Sequence, residues 1–352
     1  MKDSVKIVGV AKTLPKYKRE TPEIIPFVKQ WLSGQEERFQ RKVVKIFEGA
    51  GVDCRYGIMD IEEVFTVTSF EEKNNIYVRE MKVLGTQVLQ KALAKVDWQP
   101  EALDFIITVS CTGIMIPSLD AYLIDALGLR TDIVRLPVTE MGCAAGISGL
   151  LYAKQFLKAN PGKKAAVIAV ESPTATFQLN DFSMTNMVSA AIFGDGAACA
   201  LLSSAEQDEG PAMIGEAMYH FPNVTHMMGF DITNTGLKMI LDPSVPAVIA
   251  EHFPNIIHPF LAAHGTKMEE IDYLIFHPGG RKIVETVEHL FGAMGKNIVD
   301  TKTVLKDFGN MSSVTVLYVL ERFLNQSHEQ GRKGLMLSFG PGFSAQRILL
   351  EW

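Results

Sequence analysis

Two stretches, CAAGISGLLYAKQFL (Cys143 to Leu157) and NMSSVTVLYVLERFL (Asn310 to Leu324), align from end to end without a gap. Each follows a glycine, runs through small residues into an apolar helical pattern and ends on Phe-Leu. The strand patterns that start at Asp104 and Asp272 are separated by nearly the same length of chain, and so are the later runs KKAAVIAVES and RKGLMLSFGPG. Three matches at a nearly constant spacing indicate two copies of one α/β unit.

The duplication predicts where the chain divides and which residues correspond. The most polar connection is SSAEQDEGP (Ser203 to Pro211), which ends in Gly and Pro as linkers often do. We therefore predict an N-terminal half over residues 1–205 and a C-terminal half over residues 206–352. The alignment also predicts that Cys143 and Asn310 stand at equivalent helix starts, which a pseudo-twofold axis would bring together.

Apolar runs and helical patterns alternate along both halves. Several runs are apolar on both faces, as expected of strands buried between helices: Val5 to Val10, Phe105 to Val109, Ala165 to Val170, Ala197 to Leu202, Tyr273 to Phe276 and Leu335 to Phe339. Helical patterns lie between them, for example at Tyr77 to Val96 and Cys143 to Ala159. This order is typical of a layered α/β protein.

Composition excludes several classes of protein. The chain of 352 residues has 34 Lys and Arg against 40 Asp and Glu, a formal charge of −6, and 47% hydrophobic residues. These values argue against disorder and against a general nucleic-acid partner. No apolar run approaches the roughly 20 residues that span a bilayer, and Lys12 and Lys16 interrupt the apolar core that a signal peptide needs. Four cysteines make no disulfide scaffold, so we expect a cytoplasmic protein.

Cys143 lies in VTEMGCAAGISGL, at the expected start of a helix. Backbone N–H groups and the helix dipole at that position stabilise a thiolate, so we expect a lowered pKa and a nucleophilic role. The alternative is an inert buried cysteine, since cysteine is among the most buried residue types.

Two further residues are candidates for the same site. His277 ends an apolar strand in YLIFHPGGRK, and the carboxyl ends of strands in open α/β sheets collect functional groups. It could serve as the base and orienting cation for Cys143, or it could only bond within a turn. Asn310, in DFGNMSSVT, could direct its amide at an oxyanion or enolate, or it could only cap a helix.

Metal and dinucleotide sites have little support. The sequence contains no Cys-x-x-Cys and no His-Glu-x-x-His, the spacings typical of zinc ligands. Gly194-Asp195-Gly196 and Gly340-Pro341-Gly342 lack the spacing and helix context of a Rossmann fingerprint.

Taken together, the motifs resemble those of the chalcone synthase-like, or type III, polyketide synthases. The resemblance covers nearly the whole chain and rests on five ordered motifs: MGCAAG (Met141 to Gly146), FGDGAA (Phe193 to Ala198), HPGGRK (His277 to Lys282), GNMSS (Gly309 to Ser313) and SFGPGFSAQ (Ser338 to Gln346). Within the family, SFEEKNNIYVRE (Ser69 to Glu80) and MGFDITNTGLK (Met228 to Lys238) are most similar to bacterial alkylpyrone and alkylresorcinol synthases.

The resemblance implies a thiolase fold with five layers in α-β-α-β-α order, a homodimer, and a triad of Cys143, His277 and Asn310. Cys143 would take an acyl starter from acyl-CoA, and His277 would hold the thiolate as an ion pair. His277 and Asn310 would then donate to the thioester carbonyl of malonyl-CoA during decarboxylation, and the enolate would attack the acyl-cysteine. Repeated rounds and a cyclisation would give an alkylpyrone or alkylresorcinol. No metal or redox cofactor is implied.

Departures from the plant pattern favour a fatty acyl starter. Phe193 matches a gatekeeper aromatic of the family, although it could equally be a core residue. Met239 replaces a second gatekeeper aromatic, Phe230 replaces a small glycine, and Cys111 matches a pocket position that is often Thr in plant enzymes. The remaining positions that we assign to the substrate pocket are Thr112, Thr176 and Ser312.

CoA phosphates need basic partners. Counting back from CRYG (Cys54 to Gly57), Lys42 and Lys45 match two of three basic residues of the family, and Gly49 replaces the third. The alternative for both lysines is a solvated helix face. We also assign Arg281, Gly279 and Gly280, beside His277, to CoA binding.

Two other interpretations stay open. An initiating β-ketoacyl carrier-protein synthase shares the fold and a Cys-His-Asn set, but HPGG and FGPG favour the polyketide enzyme; hydroxymethylglutaryl-CoA synthase fits less well. A non-catalytic acyl-binding protein with this fold would have no reason to keep three reactive groups. The sequence leaves open the starter length, the number of extensions, the ring formed, and delivery of the starter by CoA or by an acyl-carrier protein.

Overall fold

The computed structural model describes residues 4–352, which form thirteen strands and eleven helices. The strands are β1 Lys6–Thr13, β2 Tyr17–Glu20, β3 Cys54–Gly57, β4 Phe105–Val109, β5 Val134–Val138, β6 Lys164–Glu171, β7 Gly196–Ser203, β8 Ala212–His220, β9 Met228–Thr233, β10 Gly236–Leu241, β11 Ile271–Phe276, β12 Lys333–Gly340 and β13 Ser344–Glu351. The helices are α1 Thr21–Trp31, α2 Glu37–Glu48, α3 Ile61–Thr66, α4 Phe70–Lys95, α5 Leu119–Leu127, α6 Ala145–Ala159, α7 Met184–Ile192, α8 Val245–Ala263, α9 Arg281–Gly292, α10 Val299–Phe308 and α11 Thr315–Leu324.

Nine of these strands form two half-sheets that meet at one point. The order is β11-β12-β13-β8 in one half-sheet and β1-β7-β6-β4-β5 in the other, and β1 pairs with β8 only at Lys6 and Ala212. Strand β6 lies between parallel β4 and antiparallel β7, as β12 lies between parallel β11 and antiparallel β13. The two halves therefore repeat one arrangement of strands.

One polar contact is repeated in both halves. Asp104, before β4, accepts a hydrogen bond from the backbone N–H of Lys164 at 3.0 Å. Asp272, in β11, accepts the corresponding bond from Lys333 at 2.9 Å. Each carboxylate is also paired with an arginine, Arg130 in the first half and Arg332 in the second. The regular spacing of Asp104 and Asp272 along the chain thus reflects one structural role that occurs in both halves.

Helices on the outside and in the middle of the half-sheets give five layers in α-β-α-β-α order. Helices α4 and α5 cover the outer face of one half-sheet, and α8 and α9 cover the outer face of the other. Helices α6 and α11 are buried between the half-sheets. Small residues in α6 permit this, because a Cβ atom on Gly146 would lie 2.3 Å from the carbonyl oxygen of Ser313. The layer order matches the sequence prediction.

The predicted boundary at residue 205 lies in the connection between β7, which ends at Ser203, and β8, which begins at Ala212. The halves nevertheless share cores. Helices α1 and α2 belong to the N-terminal half in sequence, but they pack into the apolar cluster that contains α8 and α9. The first half therefore covers part of the second.

The helix starts correspond in a different register from the one that the sequence alignment predicts. Cys143 lies in a single 3₁₀ turn, Gly142–Ala144, before α6, and the turn Ser312–Val314 precedes α11. Gly142 and Ser312 both have φ of +50°. Ser313, rather than Asn310, therefore corresponds to Cys143. The alignment is wrong by three residues because it matched the Phe-Leu ends, whereas the second copy is shorter between its turn and that pair.

Candidate active site

One internal cavity of about 50 Å³ brings Cys143, His277 and Asn310 together. Cys143 comes from the turn before α6, His277 follows β11, and Asn310 lies just after α10. The three residues therefore come from both halves of the chain and meet where the central helices start. Phe339 and Pro341, from the FGPG segment, also line this cavity.

The backbone around Cys143 is held from two sides. Gly142 has a positive φ, and a Cβ atom there would lie 2.5 Å from the Pro341 ring, so the position requires glycine. Ser338 Oγ donates to the carbonyl oxygen of Cys143 at 2.7 Å. The thiol of Cys143 lies 3.6 Å from Ser312 Oγ.

The predicted lowering of the Cys143 pKa is wrong for this structure. Burial raises the pKa of the thiol to about 12, and the neighbouring Glu171 carboxyl raises it too, while hydrogen bonds from Ser312 and Asn310 act in the opposite direction. A helix terminus contributes up to about 2 kcal/mol in favourable geometry. Desolvation of a thiolate in an apolar cavity outweighs that contribution, so the resting group is the thiol.

His277 is also neutral at rest. Its backbone N–H donates to the carbonyl oxygen of Leu337 at 2.9 Å, which extends the pairing of β11 with β12. The side chain is buried, and within residues 4–352 neither ring nitrogen has a hydrogen-bond partner. Burial lowers the pKa of the imidazole to about 3. An ion pair with Cys143 therefore requires proton transfer between two groups whose burial favours the neutral forms.

Asn310 is hydrogen-bonded through both ends of its amide, and it is not the N-cap of α11. Its Oδ1 accepts from the backbone N–H of Ser312 at 2.8 Å, which holds the start of the short turn before α11. Its Nδ2 donates to the carbonyl oxygen of Gly279 at 3.1 Å. The amide oxygen thus fixes the orientation of the amide nitrogen, which keeps a second N–H for another acceptor.

Glu171 is a buried carboxyl at this site that the sequence analysis did not single out. It ends β6, and Ser313 Oγ and Thr112 Oγ1 donate to its two oxygens at 2.6 and 2.8 Å. The backbone N–H of Cys111 donates at 3.0 Å. Burial raises the pKa of Glu171, although these hydrogen bonds oppose the shift. In the sequence, Glu171 is recognisable as an ionisable residue at the end of an apolar strand, and His277 stands in the same kind of position.

Ser312 connects the two thiols of the site. Its Oγ lies 3.4 Å from Cys111 Sγ and 3.6 Å from Cys143 Sγ. Burial and the neighbouring Glu171 raise the pKa of Cys111 well above its ordinary value. Both thiols are therefore protonated at rest and share one hydroxyl group.

The residues predicted to form the substrate pocket are divided between two cavities. Six of them line the catalytic cavity: Cys111, Thr112, Phe193, Phe230, Met239 and Ser312. Thr176 instead lines an adjoining cavity of about 70 Å³, which we term the rear chamber. Phe193, Met239 and Pro173 line both cavities and form the wall between them. Thr176 Oγ1 is bonded within its own turn, to the carbonyl oxygen of Pro173.

A wider cavity of about 610 Å³ leads from the surface to the catalytic cavity. All five residues assigned to CoA line it, together with another lysine: Lys42, Lys45, Gly279, Gly280, Arg281 and Lys282. Leu241, Gly279 and Ile283 line both this mouth and the catalytic cavity. Arg281 crosses the mouth, since its Nη1 donates to the carbonyl oxygen of Gly49 at 3.0 Å. Positive charge at this opening suits an anionic ligand.

Within residues 4–352, no three His, Cys, Asp or Glu side chains come together as a metal site would require. None of the described helices has the length and apolar character needed to cross a membrane.

The sequence matches two family models. One describes the N-terminal domain of chalcone and stilbene synthases and covers residues 32–206, and the other describes the C-terminal domain and covers residues 214–351. A similar relative, 1,3,6,8-tetrahydroxynaphthalene synthase of Streptomyces coelicolor, is 30% identical over 310 residues, which are 88% of this chain and 82% of the relative. Phloroglucinol synthase of Pseudomonas fluorescens is 30% identical over 302 residues, 86% of each protein.

Solved structures are similar over almost the full length. The crystal structure of the Streptomyces coelicolor tetrahydroxynaphthalene synthase, a bacterial type III polyketide synthase, has a TM-score of 0.93 at 28% identity over 99% of each chain. The C-terminal type III polyketide synthase domain of Steely1, from Dictyostelium, has a TM-score of 0.92 at 25% identity, also over 99% of each chain.

Proposed function

Because the chain belongs to the chalcone and stilbene synthase family and is a type III polyketide synthase with the thiolase fold, we propose that it extends a fatty acyl-CoA starter with malonyl-CoA and closes the product to an alkylpyrone or alkylresorcinol. The observation that carries this proposal is the shared cavity of Cys143, His277 and Asn310 beneath a basic mouth. No metal or redox cofactor takes part in the proposed reaction.

Loading of the starter uses Cys143 and His277. The Cys143 sulfur attacks the acyl-CoA carbonyl, and its proton passes to the imidazole of His277, which has no hydrogen-bond partner among the described residues. The C–S bond to CoA then breaks, and CoA leaves as a thiol after taking the proton. The product is an acyl thioester on Cys143. Because burial opposes both charged forms, the thiolate and imidazolium exist together only during the transfer.

Condensation uses His277 and Asn310 as donors. When the malonyl carboxylate leaves as CO₂, the electron pair moves onto the thioester oxygen, where an N–H of His277 and the second N–H of Asn310 stabilise it. The α-carbon then forms a C–C bond to the acyl carbon, and the bond to the Cys143 sulfur breaks. A neutral imidazole with a low pKa donates a hydrogen bond without protonating the enolate. The sulfur leaves as a thiolate, which attacks the elongated CoA thioester and takes up the chain, while CoA leaves and is protonated from solvent.

The walls of the cavity support an aliphatic starter. Phe230 and Met239 face each other as partners of the β9–β10 hairpin, and both line the catalytic cavity. Methionine is flexible and adapts to irregular contents. Phe193, Met239 and Pro173 separate this cavity from the rear chamber, so a longer chain has a second space beyond them. Glu171, bonded to Cys111 and Ser313, is a buried group that a cyclisation could use.

We also propose a homodimer. Ile116 and Ile114, after β4, and Val134, on the edge strand β5, are exposed by 90%, 42% and 47%. Such apolar exposure beside a sheet edge is a liability that a second copy would cover. Ile116→Asp should give monomers in light scattering, whereas an unchanged mass would remove this face from the interface. We propose a cytoplasmic location as well, supported by four free thiols.

Product analysis tests the proposed reaction. Purified protein receives malonyl-CoA and acyl-CoA starters from C6 to C18, beside the Cys143→Ala variant, and products are identified by mass spectrometry. We expect pyrones or resorcinols from the wild type alone. A single β-keto product, or activity only with malonyl-carrier protein, would contradict the proposal. Parallel reactions with acyl-carrier-protein starters decide how the starter is delivered.

A further inference from the structure

The rear chamber has an apolar wall with an unusual polar feature. Its apolar lining includes aromatic and branched side chains: Ile24, Phe47, Ile61, Val64, Phe65 and Phe177. Among these lie Arg55, from β3, and Ser189, from α7. The chamber is reached from the catalytic cavity past the shared wall of Phe193, Met239 and Pro173. It is therefore placed to receive the far end of a chain held on Cys143.

Arg55 is buried there with an unused donor. Only 4% of the residue is exposed. Nη1 donates to the carbonyl oxygen of Ala190 at 2.9 Å and Nη2 donates to Thr21 Oγ1 at 3.0 Å. Nε has no hydrogen-bond partner within residues 4–352. A buried N–H of a charged group that lacks an acceptor costs stability, so its retention needs an explanation.

Within the described residues, the charge of Arg55 also has no carboxylate partner. Burial lowers the pKa of the guanidinium to about 10, which still leaves it protonated at neutral pH, and the charged groups that affect it most are Cys54 and Arg19. The buried Asp195 is engaged elsewhere, since it accepts from Ile58, Ser172 and Thr174. Buried charges in proteins are ordinarily paired.

Ser189 supplies a second unused donor on the same chamber. A serine inside a helix ordinarily bonds the carbonyl oxygen one turn earlier, but the buried Oγ of Ser189 has no partner within the described residues. Ser189 adjoins Ala190, whose carbonyl oxygen holds Arg55. The chamber thus combines apolar walls with the Arg55 guanidinium and the Ser189 hydroxyl, which have no counter-ion and no partner, respectively, within residues 4–352. Arg19 also lines the chamber, but its charge lies near Asp195 and Asp60.

We propose that the rear chamber binds a carboxylate at the far end of the acyl chain, so that the enzyme accepts starters that are monothioesters of aliphatic dicarboxylic acids. Guanidinium and hydroxyl donors match a carboxylate, and the apolar walls match the methylene chain between the two ends. The inference rests on the proposed function and specifies its starter class.

Arg347 provides a matched control. It is equally buried, with 4% exposed, and its Nε also lacks a partner within residues 4–352. It stacks against Tyr219 and Phe260 and lines neither the catalytic cavity nor the rear chamber. If unused guanidinium donors are only a structural feature of this fold, both arginines should behave alike on substitution.

The test compares starters of equal length with and without the second carboxylate. Initial rates of product formation are measured by mass spectrometry with suberyl-CoA and octanoyl-CoA, and with the adipyl/hexanoyl and sebacyl/decanoyl pairs, at limiting starter. We expect the wild type to favour the dicarboxylic member of at least one pair by about 10- to 100-fold in kcat/KM. Arg55→Met should remove that preference, and Arg347→Met should keep it.

A second variant covers the case in which Arg55→Met does not fold. Ser189→Asp leaves the bonds of Arg55 to Ala190 and Thr21 in place and gives the chamber a carboxylate of its own. It should lose the dicarboxylic preference, read as the ratio of the suberyl-CoA and octanoyl-CoA rates, so that any general change in activity cancels. Equal rates with both members of every pair in the wild type, or a preference that survives in Ser189→Asp, would overturn the carboxylate site alone. No product from any starter would overturn the proposed function, and the site with it.

Discussion

The two central helices start with the same backbone and carry different chemistry. Each is preceded by one 3₁₀ turn whose first residue has φ of +50°. In the first copy that residue is Gly142 and the next is Cys143. In the second copy the pair is Ser312 and Ser313. The first copy therefore presents a thiol, and the second presents two hydroxyl groups.

The difference shows how two copies of one structural unit come to carry different functional side chains. A side chain on Gly142 would meet Pro341, so the first copy keeps glycine and exposes the thiol next to it. The second copy keeps a serine in the left-handed region, which costs about 1–2 kcal/mol. That Ser312 hydroxyl lies between Cys111 and Cys143, while Ser313 holds Glu171. The turn before α6 supplies the proposed nucleophile, and the turn before α11 supplies polar groups around it.

Removing the Cys143 thiol should have the largest effect on activity. Cys143→Ala should lower the rate of product formation by about 10⁴-fold or more, since no acyl-enzyme can form. Adding Ser313→Cys, which places a thiol at the corresponding position of the other copy, should not restore activity because that position faces Glu171. Product formation measured by mass spectrometry checks both variants. Restored activity in the double variant would show that a thiol at either of the two turns can act as the nucleophile.

Exchanging the left-handed residues should affect the copies unequally. Gly142→Ala combines an unfavourable φ with overlap against Pro341 and should lower the free energy of unfolding by about 2–4 kcal/mol. Ser312→Gly relieves backbone strain and should change it by less than about 1 kcal/mol. Urea unfolding of both variants gives the two values. Equal losses would contradict the different roles assigned to the two turns.

Alkylation of Cys143 reports the protonation state at rest. With a thiol pKa of about 12, the thiolate fraction should rise about tenfold for each pH unit, or about 100-fold from about pH 6 to about pH 8. The rate of iodoacetamide modification at Cys143, read by peptide mass spectrometry, measures this. A rate that is already constant over that range would reveal a preformed ion pair with His277. Cys143→Ala controls for reaction at the other cysteines.

The pH dependence of stability should reveal the buried Glu171. Because burial raises its pKa above the ordinary 4.5, the folded protein binds this proton more readily than the unfolded chain does. Wild-type stability should therefore fall, relative to Glu171→Gln, as the pH rises above 4.5. The loss amounts to about 1.4 kcal/mol for each unit by which the pKa is raised. The same pH dependence of stability in both proteins would instead show that hydrogen bonding offsets burial.

The lysines of the mouth lie away from both turns, and their substitution should have the smallest effect on activity. Lys42→Ala with Lys45→Ala should raise the KM for malonyl-CoA by about 2- to 10-fold with little change in kcat, because exposed charges contribute about 0.2–1 kcal/mol each. Steady-state kinetics at low and high salt measures this, and the effect should shrink at high salt. An unchanged KM at low salt would show that both lysines only form a solvated helix face and do not bind CoA.

Local pattern sufficed for the layered fold and for the neighbourhood of the site. Apolar runs on both faces indicated the buried strands, and the glycines around Cys143 indicated a closely packed central helix. His277 was recognisable because it ends an apolar strand. Glu171 ends β6 in the same way, at the carboxyl end of a strand parallel to β4, but a carboxyl group after an apolar run does not by itself indicate a site.

Properties that depend on distant segments could not be predicted from local pattern. The pKa of Cys143 depends on how Phe339, Pro341 and Phe193 close the cavity, and these residues lie far apart in the chain. Arg55 lies in the CRYG motif, which does not show that its Nε has no hydrogen-bond acceptor within residues 4–352. That feature depends on how α7 packs against β3. The three-residue shift between the helix starts likewise required the backbone angles of Gly142 and Ser312.

The residue that carries the acyl group can be identified directly. The protein is incubated with octanoyl-CoA in the absence of malonyl-CoA, digested, and examined by peptide mass spectrometry. The account predicts an octanoyl mass on the peptide that contains Cys143, and its loss when malonyl-CoA is added. An acyl group on Cys111, whose thiol also lies near Ser312 Oγ, or no acyl group on any cysteine, would contradict the assignment of the nucleophile.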